Sequence, residues 1–430
     1  MLAIIGPRVP ASAMEPRPSG LSILKERAKT IWGDNNVWIP TATVWVQYEP
    51  DLGERHAVDF EAGVASVQIL LKADDDPGRD AVKDHFRQGL TNLILRDAAD
   101  PVDMITREAS LSGPDGSPPS LPPEREIRIY LTRPGDSLWK IARHFDMPLN
   151  TLAAINGLDG ETLLPVGQPL KVAVFTSHDL TLDSDPRPPA DDPLLLNQIR
   201  MADGSPVPPW MVRDFADEVV ENQALKREII VGNDGVERLA VTATFQLVSN
   251  HLEVRAKRFH PLVLAHATKM NLDPALIMAI IHTESMFNPY ARSETPAYGL
   301  MQLVPHTAGR EAYRKVYGRR GNLTSQYLFD PANNIELGVA YVSILKNRYM
   351  KSIVDPASRT YCAVAAYNAG ASNVGKAFIS KKSIRRAIPA INRLTPAQVY
   401  DQLVAALPMK ESRDYVRKVM DRLDIYRDWH

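Results

Sequence analysis

Of 430 residues only one, Cys362, is a cysteine, so no intrachain disulfide can staple this fold; its place in an apolar run reads as a small buried hydrophobe. No Cys/His spacing suits zinc, so neither a metal nor any other cofactor is expected. Long apolar runs are also missing. The longest near the start, residues 2–6, is too short for an export core, although Ala11-Ser12-Ala13 resembles a cleavage site. Nothing approaches the length of a membrane span. The expectation is a cytoplasmic chain or one whose export segment is missing from this form. With 44% hydrophobic and 23% charged residues the chain is globular, and its length predicts two to four domains.

Charge is nearly absent as a sum, −1, but not as a distribution. From His251 onward 26 Lys+Arg face 14 Asp+Glu, which leaves 24 against 37 before it, so the C-terminal part is +12 and the rest −13. A basic part of this size suits an anionic partner such as nucleic acid, an anionic membrane or an acidic wall polymer, and equally suits a solvated surface.

Residues 1–28 are Pro-rich and polar and read as a flexible N-terminal segment. Residues 41–48, 57–60 and 64–71 read as strands, the last two around Glu61-Ala62-Gly63. Residues 80–96 carry Val82, Phe86, Leu90 and Leu93 at helical spacing. A second block has a helix over 210–225 and strands over 229–231 and 239–248. Two proline-rich linkers, 113–123 and 183–193, bracket a compact unit between these blocks. The organisation expected is a mixed α/β N-terminal domain in two parts, 29–112 and 190–250, an inserted module over 124–173, and a mainly helical domain over 251–430.

The inserted unit reads strand, helix, helix, strand. Pro134-Gly135-Asp136-Ser137-Leu138, Leu152-Ala153-Ala154-Ile155-Asn156 and Val166-Gly167-Gln168-Pro169-Leu170 together resemble a LysM domain. The resemblance implies a βααβ fold that binds N-acetylglucosamine-containing glycans in the groove between helix starts and loops, with Gly135, Asp136, Ser137, Asn156 and Gly157 as its contacts. A LysM-like spacer is the plainer alternative.

Beyond His251 one acid stands on an apolar helix face. Asp273 and Pro274 read as N-cap and first helical residue of a run to Phe287, and Ile277, Ile280 and Ile281 precede Glu284 by seven, four and three positions. Asn288-Pro289 is expected to end the helix, which puts Glu284 in its last turn. Burial and the negative helix end both disfavour its ionisation, as a general acid for glycosidic cleavage requires. A paired or snorkelling surface Glu is the competing reading.

Thr283-Glu284-Ser285, Gly299-Leu300-Met301-Gln302, Asp330-Pro331 with Asn334-Ile335, Ala366-Tyr367-Asn368 and Glu411-Ser412-Arg413-Asp414-Tyr415-Val416 follow in an order that resembles the soluble-lytic-transglycosylase family of lysozyme-like enzymes. With the strands before them, the whole is similar to the membrane-bound lytic murein transglycosylase C type. It departs from that type by the LysM insertion and by lacking a lipobox cysteine. The resemblance implies an α+β multidomain enzyme that cleaves peptidoglycan, with Glu284 as catalytic residue. Ser285, Met301, Gln302, Tyr367, Asn368, Glu411 and Tyr415 would be substrate-binding, with Ser285 orienting the acid and Gln302 offering its amide to the N-acetyl group; a core place for Met301 and Tyr298 and a bond from Ser285 to a backbone carbonyl are the plainer alternatives.

An ordinary glycosidase needs two carboxylates. Glu294 is the nearest second acid, but it falls in an irregular stretch, and Asp330 before Pro331 reads as an N-cap. The favoured route is therefore intramolecular, giving 1,6-anhydro ends. A hydrolytic muramidase and a catalytically silent peptidoglycan-binding scaffold are the rival readings. The partners implied are peptidoglycan glycan strands and not nucleic acid, with outer-membrane association and other cell-wall enzymes as further expectations. The location implied is periplasm or cell envelope.

Overall fold

The computed structural model describes residues 20–49, 51–76, 78, 80–95, 125–132, 138, 141, 145, 149–158, 168–175, 193–208, 211–222, 225–321 and 323–429. The chain forms two compact units, one over 1–102 with 188–430 and one over 103–187.

The first unit begins with helix α1 (Gly20–Trp32). The reading of 1–28 as a flexible segment fails from Gly20 onward; residues 1–19 lie outside the described residues. Leu24, Ala28 and Trp32, four apart, bury one face of α1 completely, and Trp32 donates its indole N–H to the Leu52 carbonyl at 2.8 Å. Strands β1 (Val44–Tyr48), β2 (Glu54–Asp59) and β3 (Val64–Lys72) form an antiparallel meander. The turn between β2 and β3 is set by Asp59, whose Oδ1 accepts from the N–H of Glu61 at 3.0 Å and of Ala62 at 2.9 Å, with Gly63 at φ 68°. Helix α2 (Asp80–Leu95) packs across the sheet with Phe86 and Leu90 fully buried.

The unit resumes with helix α4 (Val212–Asn222) and strands β6 (Lys226–Val231) and β7 (Glu237–Gln246). The sheet order is β1-β2-β3-β7-β6, and β7 pairs β3 from Val64↔Gln246 to Lys72↔Arg238. Both parts of the chain thus build one sheet. Its core gathers Phe60, Val67, Phe86, Phe215 and Val241, and it also takes in Met286, Tyr290 and Phe329 from the helical part.

That part holds α5 (His251–Lys269), α6 (Pro274–Ser285), α7 (Arg310–Tyr317), α8 (Ser325–Phe329), α9 (Pro331–Ile344), α10 (Pro356–Ala369), α11 (Ala371–Phe378), α12 (Ile384–Ile391), α13 (Pro396–Ala406) and α14 (Lys410–Tyr426). Four of them start by one device. Asp273, Asp330, Asp355 and Thr395 cap α6, α9, α10 and α13, each followed by proline at the first helical position. The cap oxygen satisfies an orphan N–H and proline has none to lose, so the pair marks a start sharply. Asp330 is the cap the sequence predicts, its Oδ1 accepting from Asn333 N at 2.9 Å. From Ala275 to His282 α6 is buried all round, the central helix of this core. Cys362 is fully buried, as its apolar run suggests.

The second unit pairs β4 (Arg125–Leu131) with β5 (Pro169–Phe175), antiparallel, and includes α3 (Leu149–Asn156). Tyr130, Leu138, Ile141, Phe145, Leu152, Leu170 and Val172 form its core. Among the described residues no helix is long and apolar enough to cross a membrane.

Candidate active site

Glu284 is the penultimate residue of α6. The helix stops earlier than Asn288-Pro289 would have it, because Met286 (φ 51°) and Phe287 (φ 60°) both turn left-handed. The last carbonyls are taken by guanidinium groups: Arg422 donates to His282 O at 3.0 Å and Arg255 to Met286 O at 3.1 Å. Glu284 keeps part of its surface open on a side otherwise enclosed by protein. Burial pushes its pKa up to about 7; the Tyr415 hydroxyl opposes that rise and the Glu411 charge adds to it. Neighbouring His282 cannot counter it as a cation, since burial and then Arg422 and Arg255 hold its pKa at about 3.

Three further elements converge on this carboxyl. The first is the turn at 298–302. Gly299 sits at φ 76°, where a Cβ would lie 2.2 Å from Leu328 O and 2.3 Å from Asn334 Nδ2. Asn334, fully buried on α9, accepts from Met301 N at 2.8 Å and donates to Tyr298 O at 2.8 Å and Leu328 O at 2.6 Å. Its amide thereby fixes the turn from both sides. The second element is α10, whose Tyr367 hydroxyl donates to Met301 O at 2.7 Å. Burial and the Glu284 charge raise the Tyr367 pKa well above its ordinary value, so it stays neutral. The third is α14, which supplies Tyr415 and Ser412; Ser412 donates to Asn368 Oδ1 at 2.7 Å. The buried Tyr415 hydroxyl lies close enough to Glu284 to influence its pKa, yet falls short of hydrogen-bond geometry and has no other protein partner. A buried hydroxyl without a partner stands ready to meet the acid or a ligand.

Glu284, Gln302, Tyr367, Asn368, Glu411 and Tyr415 are thus brought into one neighbourhood, with Glu411 exposed on the first turn of α14. Two expected substrate contacts are not at a surface. Ser285 is fully buried and donates to Leu300 O at 2.8 Å, so it ties the helix end to the turn and does not orient the acid. The Met301 side chain is fully buried, and a Cβ on Gly338 would lie 2.1 Å from its sulfur; only its backbone faces Tyr367. Gln302 donates both amide hydrogens to Ala291 O and Gly299 O, at 2.9 and 3.0 Å, which leaves its Oε1 as the atom able to accept a further bond. Glu294 is exposed in its irregular stretch. In the inserted unit Gly135, Asp136 and Ser137 lie outside the described residues. Asn156 donates to Leu152 O and Lys171 O and accepts from Lys171 N, so its amide is engaged in tying α3 to β5 rather than offered to a glycan; Gly157 follows at φ 65° with no atom near its missing Cβ.

The residue sequence reasoning missed is Arg255. It is buried, donates to Gln198 Oε1 at 2.7 Å and Phe60 O at 3.0 Å besides Met286 O, and joins the sheet to the end of the acid's helix. Burial lowers its pKa to about 9. Asn288 to Ala42 O at 3.3 Å and Arg292 N to Thr41 O at 3.2 Å extend the same seam. A signal was present: Arg255 shares a helical face with Phe259 and Val263, the placement that singles out Glu284.

The chain resembles known proteins over this part and over the inserted unit. Residues 261–387 match the family model described as the Transglycosylase SLT domain, and residues 130–173 match the LysM domain. The chain is 41% identical over 244 residues to membrane-bound lytic murein transglycosylase C of Photorhabdus laumondii, covering 56% of this chain and 66% of that protein. It is 40% identical over 252 residues to the protein of that name from Yersinia enterocolitica, covering 58% and 68%. Among solved structures, a lytic transglycosylase Slt from Pseudomonas aeruginosa is 30% identical over 39% of this chain and 23% of its own, with a TM-score of 0.29.

Proposed function

The chain belongs to the family of peptidoglycan lytic transglycosylases typified by membrane-bound lytic murein transglycosylase C, and from that premise we propose that it cleaves the β-1,4 MurNAc-GlcNAc bond without water. The observation that carries this reading is an acid held near neutrality, Glu284 at about 7, beside an unpartnered Tyr415 hydroxyl, with Glu411 exposed on the first turn of α14 and Glu294 out in solvent. Glu284 gives its proton to the glycosidic oxygen as the C1–O bond breaks. The resulting carboxylate then takes the proton of the muramoyl C6 hydroxyl while that oxygen closes on C1. One group serves as acid and then base, and a tethered hydroxyl has the effective concentration to replace an activated water. Tyr415 is placed to hydrogen-bond the carboxylate once it forms. Gln302, Tyr367 and Asn368 line the position of the sugar.

Digested wall should therefore end in 1,6-anhydromuramoyl residues, about 18 mass units lighter than reducing ends because no water is added. Mass spectrometry of the fragments decides it. Predominantly reducing ends would make the chain a hydrolytic muramidase, and no fragments at all would make it a binding scaffold.

The pH profile tests the same assignment. On short soluble strands kcat/KM should fall as pH rises through about 7, as the acid of the free enzyme ionises. Tyr415→Phe removes a group that lowers the Glu284 pKa and should move that limb to higher pH; Glu411→Gln removes a like charge and should move it lower. Shifts in the same direction would disconnect both residues from the acid. The LysM unit adds a second hold on the glycan, and the membrane-bound name of the relatives supports a place at the cell envelope.

A further inference from the structure

Away from Glu284 the catalytic part carries a hollow of about 730 Å³ between α7 and the end of α9. Its wall presents Arg310, Arg314, Lys315, Arg320 and Arg348 against one carboxylate, Glu311. Glu311 already holds Arg348 at 3.2 Å and the Tyr349 hydroxyl at 3.1 Å. Among the described residues Arg310, Arg314, Lys315 and Arg320 have no ion-pair partner, and all four are exposed. Cations brought together around a concavity repel one another, an electrostatic cost that an anion among them would relieve. Neutral hydrogen-bonding groups accompany them: Thr307, Ser343 and Asn347, the last donating its amide to the buried Ser343 hydroxyl at 3.3 Å.

The hollow adjoins the site through one ring. Tyr341 packs edge-on against Tyr367, centroids 5.5 Å apart, and feels the charges of Glu311 and Tyr349. Thr307, in the helical turn Pro305–Gly309, follows Gln302 by five positions.

We propose that this hollow binds the carboxylates of the peptide stems carried by the glycan strand being cleaved, and so selects strands that still bear peptides. The inference rests on peptidoglycan as the substrate. Four observations favour a peptide over an anionic membrane or a nucleic acid. The surface is concave, its size suits a few amino acids, and its cations are mostly arginines, which grip carboxylates with two parallel N–H donors. Its Ser, Thr and Asn groups also match amide hydrogen bonding.

The test uses the full chain carrying Arg314→Gln, Lys315→Gln and Arg320→Gln together. None of these residues is part of the acid's neighbourhood, and exposed charges seldom hold a fold. On peptide-bearing strands KM should rise about tenfold, equivalent to ~1.4 kcal/mol of binding, with kcat unchanged. On strands stripped of peptide by an amidase both constants should match the parent. Binding is read separately by titrating a sugar-free stem tetrapeptide into the Glu284→Gln chain with and without the triple change. That binding should weaken as salt rises and vanish in the combined variant. This arm does not depend on cleavage, so a failure of the transglycosylase assignment leaves it interpretable. Equal KM changes on both strand types, an unaltered KM on both, or tetrapeptide binding that survives the triple change would overturn the proposal, as would binding of anionic vesicles in place of the tetrapeptide. If the triple variant is thermally unstable, Lys315→Gln alone should show a smaller KM rise confined to peptide-bearing strands, and its absence would overturn the proposal equally.

Discussion

Glu284→Gln should lower the rate of anhydro-end formation by at least about 10²-fold, because the amide keeps the shape of the acid and loses the transferable proton. Binding to insoluble wall should persist. Stability should respond in a direction fixed by the raised pKa. A carboxyl whose folded pKa is about 7 rather than the ordinary 4.5 contributes stability that is fully present below about 4.5 and is lost as pH rises through about 7. The Gln variant has no such titration, so its melting temperature relative to the parent should climb between pH 4 and pH 8. A rate within a few-fold of the parent would remove Glu284 from the mechanism; a melting difference that did not move with pH would contradict its burial.

Asn334→Asp should cost about 3–5 kcal/mol of stability and most of the activity, although Asn334 touches no substrate in the proposed mechanism. The native amide donates to Tyr298 O and Leu328 O while accepting from Met301 N. A carboxylate keeps the acceptor but turns the two donors into negative oxygen facing two carbonyls, inside a site with no exposure. The turn that supports Gln302 and receives the Tyr367 hydroxyl would be pushed out of place. Denaturant unfolding with an unchanged m-value measures the loss. A midpoint within about 1 kcal/mol of the parent would mean the turn is held by something other than this amide.

Much of this was legible in the residues themselves. An acidic cap before proline carries its own geometry, so the starts of α6 and α9 could be placed closely. Glu284 was legible because a charge at helical spacing from isoleucines must be desolvated. The end of α6 was less so, since the left-handed step at Met286 and Phe287 is imposed by tertiary bonds from Arg255 and Arg422 rather than signalled by a glycine. Ser285 and Met301 took the plainer of their two readings for one reason: they sit in a helix end and a turn, where adjacent residues point to opposite environments and a motif cannot tell which side faces the sugar. Asn334 stood out only as part of a family motif, with no role attached, because its partners are contributed from elsewhere in the chain. Helix α1 was obscured by composition, its leucine-alanine-tryptophan face lying just past a proline-rich stretch.

The β3 to β7 ladder has a bearing on how the chain comes to be folded. Val64 pairs with Gln246, and Gln68 Nε2 reaches Thr242 Oγ1 at 2.7 Å across 174 positions of sequence. During synthesis from the N-terminus the β1-β2-β3 meander is therefore finished long before the strand that covers its open edge exists, and an uncovered edge is a template for the wrong neighbour. Closing so long a loop is slow, but its entropy grows only logarithmically, by about 0.6 kcal/mol for each doubling of length. That asymmetry explains how an entire module of 103–187 can stand between the two halves of one sheet. Lengthening the excursion barely changes the equilibrium. What it changes is the interval during which β3 waits, so the hazard of the insertion falls on the nascent chain rather than on the finished enzyme.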